Sequence, residues 1–186
     1  MEFGKLGCAV IHADRIAHQI LQRPDVRQKV VQVAGKAILE PDGRIDRSRV
    51  AAIVFDDPRK VAAINEIIHP LVLSEVERLM RYYQDTTDVA AIVLDIPLLL
   101  EVGWTDRCDR LVFVACDMAA RLARTTLTVE QILAREYFQI SLDKKAAAAD
   151  NRIENNSDFS TLVRQTAAIF SSVMKNHGGL PSEGLP

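Results

Sequence analysis

Three aspartates stand where apolar runs end. Cys8-Ala9-Val10-Ile11 leads into His12-Ala13-Asp14, Ala90-Ala91-Ile92-Val93-Leu94 leads into Asp95, and Leu111-Val112-Phe113-Val114-Ala115-Cys116 leads into Asp117. Short unbroken apolar runs suit strands buried on both faces of a parallel sheet. Ligands of such sheets bind beyond the carboxyl ends of the strands. A carboxylate there can face a ligand. It can equally be an ordinary residue where a strand meets a loop, or a helix N-cap, for which Asp is favoured. The cysteines Cys8, Cys108 and Cys116 offer no C-x-x-C spacing, which argues against a disulfide framework and against a zinc site.

Helices must carry the segments between these runs. Residues 14–22 place Ile16, Ala17, Ile20 and Leu21 on one helical face. Pro24-Asp25 starts a second helix with Val26, Val30, Val31 and Val33 as its apolar side, and Gly35 closes it. Glu40-Pro41-Asp42-Gly43 is a turn, because Pro presets φ and Gly accepts positive φ. A short helix follows over 46–55. Asp57-Pro58 opens another that carries Val61, Ile64, Ile67 and Ile68. His69-Pro70 predicts a kink or break, since the residue before Pro is pushed out of the α region, and a second segment runs over 71–83. Further helices are expected over 118–124, 128–139, 141–148 and 158–175, with a weak final strand over 151–155 and a disordered tail over 177–186. Strands alternating with helices define an α/β fold around a parallel sheet.

The chain's 186 residues suffice for one domain. Lys and Arg number 23 against 25 Asp and Glu, a net charge of −2, which gives no pull towards nucleic acid and no polybasic membrane patch. No apolar run is long enough to span a bilayer, and no basic segment followed by an apolar stretch opens the chain. A cytoplasmic protein is the expectation.

Several segments together resemble the dephospho-coenzyme A kinase family of P-loop kinases. Leu6-Gly7-Cys8-Ala9-Val10-Ile11-His12-Ala13-Asp14-Arg15-Ile16-Ala17 is similar to the family's LGxxVIDADxIA. Pro41 to Arg47 is similar to xDGxIDR, Ile64 to Leu71 to LNxIxHPxI, Leu94 to Glu101 to xDxPLLFE, and Ala149 to Asn155 to ADxxIxN. The order and approximate spacing are the family's, over nearly the whole chain from Phe3 to about Met174. The resemblance implies a three-layer α/β/α sandwich, with a kinase-like domain over 1–176, a helical acceptor region over about 24–84 and a lid over about 120–148. It implies phosphorylation of the ribose 3′-hydroxyl of dephospho-CoA by ATP with Mg2+, the last step of coenzyme A biosynthesis.

Two departures stand out. The family begins with a strand and a G-x-x-x-x-G-K-[ST] loop, whose backbone N–H groups, Lys and hydroxyl hold phosphates and magnesium. That pattern is absent from this sequence, and Phe3-Gly4-Lys5-Leu6-Gly7 resembles the end of the helix that follows the loop. An incomplete N-terminus, with Met1 an internal start and the first central strand missing, is the expectation. Two inner strands would then lack a partner, and this stretch by itself would be inactive. The alternative is a non-catalytic remnant that binds a CoA-like ligand or a protein partner. The second departure is His12, where the family has the first Asp of DAD; it could bond Asp14 or a phosphate, or be a tolerated replacement.

Carried over by resemblance, Asp14 is the general base for the ribose hydroxyl, a task that suits a carboxylate at a strand end. Arg47, His69 and Asp95 fall to the acceptor side, His69 packing near the site rather than reacting. Arg121, Arg124 and Arg135 fall to the lid, where guanidinium groups meet ATP phosphates. Asn155 falls to the loop that holds the adenine edge. Arg121 and Arg124, three apart, are expected on one helix face. Each arginine could also be a solvated surface charge. Tyr82, Tyr83 and Trp104 read as packing residues.

Overall fold

The computed structural model describes residues 2–54, 57–156 and 158–176. In chain order the elements are α1 (Glu2–Lys5), β1 (Ala9–His12), α2 (Ala13–Leu21), α3 (Pro24–Ala34), α4 (Arg47–Val54), α5 (Pro58–Gln84), β2 (Ile92–Asp95), β3 (Val112–Ala115), α6 (Met118–Leu122), α7 (Val129–Tyr137), α8 (Leu142–Ala148), β4 (Asn151–Glu154) and α9 (Phe159–Asn176). Short 3-10 turns lie at Lys36–Ile38 and Thr105–Arg107. They form two compact units, one over Ala9–Pro97 and one from the remaining described residues.

In the Ala9–Pro97 unit, β1 and β2 pair in parallel with Ala9 opposite Ile92 and His12 opposite Asp95. The chain passes from β1 straight into α2, which buries Ala13, Ile16, Ile20 and Leu21. Ala17 is half-buried. Pro24 opens α3, where its missing N–H and fixed φ cost nothing. Val26, Val30 and Ala34 are its buried stripe, while Val31 and Val33 are only half-buried. Gly35 ends the helix at φ 85°, a conformation that favours glycine. Gly43, at φ 81°, closes the turn between Leu39 and Ile45, which form an antiparallel bridge. α4 begins one residue later than expected, and Phe55 lies outside the described residues.

Of the kink or break expected at His69-Pro70, the break is absent. α5 is one helix of 27 residues with Pro70 in its interior. Asp57 caps it, its side chain accepting from the Arg59 N–H at 3.0 Å. Proline removes one intrahelical hydrogen bond and crowds the preceding turn, at a cost of roughly 3 kcal/mol. Packing outweighs that cost. Ile64, Ile68, Val72 and Val76 form an unbroken buried stripe on both sides of Pro70, and α5 packs against α2 and α3. Burying one such side chain contributes roughly 1.5–3 kcal/mol.

In the other unit, β3 and β4 pair in parallel, Val112 opposite Asn151 and Ala115 opposite Glu154. α9 packs on β4 and on α1. Asp150 ties the strand entry, accepting from the Leu111 N–H at 2.7 Å. Thr128 and Gln131 form a reciprocal capping box at the start of α7, and Ser141 caps α8.

The α/β class with parallel strands holds, as two strand pairs. Among the described residues neither β2 nor β3 has a strand on its second edge. Burial follows from this. The sequence suggests strands covered on both faces, yet every residue of β2 is half-buried and Val114 in β3 is 51% exposed. Side chains on a strand are covered partly by those of the neighbouring strand, so an open edge leaves them in contact with water. No helix among the described residues is long and apolar enough to cross a membrane. The expected tail, 177–186, lies outside the described residues.

Candidate functional site

The carboxyl ends of β1 and β2 hold the first group of predicted residues. His12 Nδ1 lies 2.8 Å from Asp95 Oδ2, and the two residues are direct register partners. Their side chains are 23% and 44% exposed. The partner of His12 is therefore Asp95, not Asp14. Asp14 is the second residue of α2. It is exposed and has no hydrogen bond or ion pair among the described residues. Its place in the first turn of α2 puts the carboxylate at the favourable end of the helix dipole, and its exposure leaves it open to a ligand. Asp117 differs: its side chain caps α6, accepting from the Ala120 N–H at 2.7 Å, which is the structural role open to any of the three aspartates.

His69 lies midway along α5 and is half-buried, and burial pushes its imidazole below the ordinary histidine range. It stands neutral near pH 7. Arg47 is the first residue of α4, and its side chain lies outside the described residues. The same unit contains an open pocket of about 340 Å³ lined by His18, Gln22, Glu40, Arg44 and Ile45. Gln22, one of the lining residues, bonds both backbone groups of Ile45, at 3.1 and 3.2 Å. Gln22 carries no sequence signal, because its partner is set only by how the Gly43 turn folds back.

The arginines of the second unit have distinct fates. Arg121 Nη2 lies 2.6 Å from Glu136 Oε1. Arg124 sits beyond the end of α6 and donates from Nη1 to the Asn155 carbonyl at 2.6 Å. The shared helix face expected for Arg121 and Arg124 is not formed, because α6 stops at Leu122 and the two guanidinium groups turn to different partners. Arg135 is exposed and unpartnered among the described residues. Arg124 and Asn155 are thus brought together, through the Asn155 backbone. The Asn155 N–H in turn donates to the Ala115 carbonyl at 2.8 Å, which fixes this loop to the end of β3.

A half-buried node carries no sequence signal for its pairing. Lys145 Nζ lies 2.9 Å from Glu101 Oε1 and 2.9 Å from Gln139 Oε1, and the Ile140 N–H donates to Glu101 Oε1 at 2.8 Å. Burial raises the Glu101 carboxyl, but the Lys145 and backbone hydrogen bonds outweigh it and hold the group below its ordinary value. Glu101 ends the Leu98-Leu99-Leu100 run, a signal that marks the residue without naming its partner.

Carboxylates at or just beyond the ends of parallel strands in one unit, and an arginine-bearing helical segment after a strand in the other, are features that an α/β phosphotransferase can use. The comparisons with known proteins narrow the class. A family model described as dephospho-CoA kinase matches residues 1–161, and the chain belongs to that family. A dephospho-CoA kinase of Symbiobacterium thermophilum is 36% identical over 183 residues, 96% of this chain and 76% of that one. One from Burkholderia pseudomallei is also 36% identical over 183 residues, covering 93% and 87%. Among solved structures, TT1252 from Thermus thermophilus superposes with a TM-score of 0.70 at 27% identity, covering 92% of this chain and 88% of that one. The dephospho-CoA kinase from Campylobacter jejuni shares the fold, with a TM-score of 0.64 at 23% identity over 94% and 89%.

Proposed function

We propose that this chain serves the transfer of the γ-phosphoryl group of ATP to the ribose 3′-hydroxyl of dephospho-CoA, giving coenzyme A and ADP. The observation that carries the reading is Asp14, an exposed carboxylate without a partner among the described residues, in the first turn of the helix that follows a parallel strand, at the position of the family's second DAD aspartate. Asp14 orients the hydroxyl and takes its proton as the oxygen attacks phosphorus in line. Arg47, His69 and Asp95 serve the acceptor, within a helical region over about 24–84. A neutral His69 packs beside dephospho-CoA without adding charge. Arg121, Arg124, Arg135 and Asn155 serve ATP, within a lid over about 120–148. Arg135 is free to meet phosphate as it stands, whereas Arg121 must first leave Glu136.

Magnesium would arrive on the ATP phosphates. No three His, Cys, Asp or Glu side chains gather as metal ligands among the described residues. The sequence has no G-x-x-x-x-G-K-[ST], and phosphoryl transfer rests on positioning and charge stabilisation. This stretch by itself is therefore expected to bind acceptor and to lack turnover. The second reading is a non-catalytic protein that binds a CoA-like ligand or a protein partner.

A coupled ADP-release assay separates the two readings. The chain as given should be silent, and turnover in the common range of roughly 1–100 per second would overturn that expectation. A version extended by a family-type strand and phosphate loop should turn over, and Asp14→Asn in it should slow the reaction about a hundredfold. An extended protein that binds dephospho-CoA but never releases ADP supports the binding reading.

A further inference from the structure

The two ring nitrogens of His12 have different surroundings. Nδ1 lies 2.8 Å from Asp95 Oδ2. With the Asp95 oxygen as the acceptor, Nδ1 is the donor, and in the tautomer that carries its single proton there Nε2 is an acceptor. Nothing among the described residues bonds to Nε2, and the side chain is 23% exposed. The ring is also well anchored. His12 and Asp95 are held opposite each other by strand pairing rather than by a loop. The family pattern has aspartate at this position. Two carboxylates directly across a strand pair repel, whereas histidine turns the same juxtaposition into a hydrogen bond and leaves a second acceptor pointing away from it.

That acceptor lies beside Asp14 in sequence, where the strand turns into α2. We propose that His12 Nε2 is a substrate-binding group, accepting a hydrogen bond from the ribose 2′-hydroxyl next to the 3′-hydroxyl that Asp14 deprotonates. The inference rests on the kinase reading of the site. A vicinal diol is two neighbouring donors, and Nε2 and the Asp14 carboxylate are two acceptors two residues apart in the chain, one on the last residue of β1 and one in the first turn of α2. Asp95 is then a positioning residue: its carboxylate fixes the tautomer and need not touch the acceptor.

Calorimetry of the chain with dephospho-CoA and with its 2′-deoxy analogue tests the assignment. The chain should bind dephospho-CoA about five- to tenfold more tightly than the analogue, the scale of one hydrogen bond. His12→Phe, which keeps a ring but no nitrogen, should bind both ligands alike and at the weaker level. Equal binding of the two ligands by the unaltered chain, or discrimination that survives in His12→Phe, overturns the His12 role and leaves the kinase reading intact. Failure of dephospho-CoA to bind at all overturns both. Nitrogen NMR of the unaltered protein gives an answer independent of any variant. Nδ1 should be protonated and Nε2 bare, and dephospho-CoA, but not the analogue, should shift the Nε2 resonance. A proton on Nε2 in the free protein sinks the proposal.

Discussion

Lys145 Nζ stands 2.9 Å from Glu101 Oε1, with the two side chains only 11% and 18% exposed. Around them the Ile140 N–H and the Gln139 amide oxygen complete the node, so a turn after β2 is joined to the start of α8. A buried pair gains little over an apolar substitute, but removing one member leaves the other charge stranded. For this half-buried pair, Glu101→Gln should therefore lower stability by about 1–2 kcal/mol, between the exposed and the fully buried scale. The pH dependence follows from the depressed Glu101 carboxyl. A folded value below the unfolded value of about 4.3 contributes stability above that pH, and the contribution is lost as pH falls through the folded value. Urea titrations at pH 6 and pH 3.5 would show a larger acid loss for the unaltered protein than for Glu101→Gln. Equal losses would mean that the pair is not what acid breaks.

The site was legible where sequence neighbours decide the structure. Asp14 could be placed because the apolar run before it is short and the helical period after it is clear. The Asp57 cap and the Gly43 turn follow from local backbone preferences and appear as expected. Asp95 could be placed at a strand end, but its bond to His12 needs the register of two strands far apart in the chain. The helix face expected to be shared by Arg121 and Arg124 fails for a related reason. Their spacing puts them on one face only if the helix continues, and α6 ends between them. Glu101 and Lys145 meet through tertiary folding alone, which periodicity does not encode.

Arg124 and Arg135 should separate in a stability assay. Arg124 holds the Asn155 carbonyl, and Asn155 is tied back to Ala115, so Arg124→Ala should cost about 1 kcal/mol, the scale of an exposed charge-assisted bond. Arg135 is exposed and unpartnered, so Arg135→Ala should change stability by under about 0.5 kcal/mol. In the extended, active protein the ranking should reverse for ATP. Arg135→Ala should weaken ATP binding about ten- to a hundredfold, measured with dephospho-CoA saturating. An Arg135→Ala enzyme with unchanged ATP dependence would remove Arg135 from the donor site.

His69 makes a prediction in the neutral range. Its folded imidazole titrates below the ordinary value because burial disfavours the cation. As pH falls through about 6.5, the unfolded chain takes a proton that the folded chain refuses, so stability declines. Denaturant midpoints at pH 7.5 and pH 5.5 should fall further apart in the unaltered protein than in His69→Gln. A His69→Gln protein with the same midpoint difference would show that other groups set the slope.

Pro70 gives the sharpest test of how α5 is held together. The helix runs through it although proline removes the hydrogen bond to the Glu66 carbonyl and strains that turn. The stripe of Ile64, Ile68, Val72 and Val76 supplies the compensation, since these side chains are buried on both sides of Pro70. Pro70→Ala restores the missing donor and relieves the ring clash. The unfolded chain gains some freedom in return, which offsets part of the benefit by under about 1 kcal/mol. The net expectation is a gain of about 2 kcal/mol, read as a higher urea midpoint with an unchanged slope. Val72→Ala should act in the opposite direction, losing about 2 kcal/mol through the cavity it leaves. If Pro70→Ala instead lowers the midpoint, the proline ring itself is required for α5 to seat on α2 and α3, and the stripe alone does not account for the continuous helix.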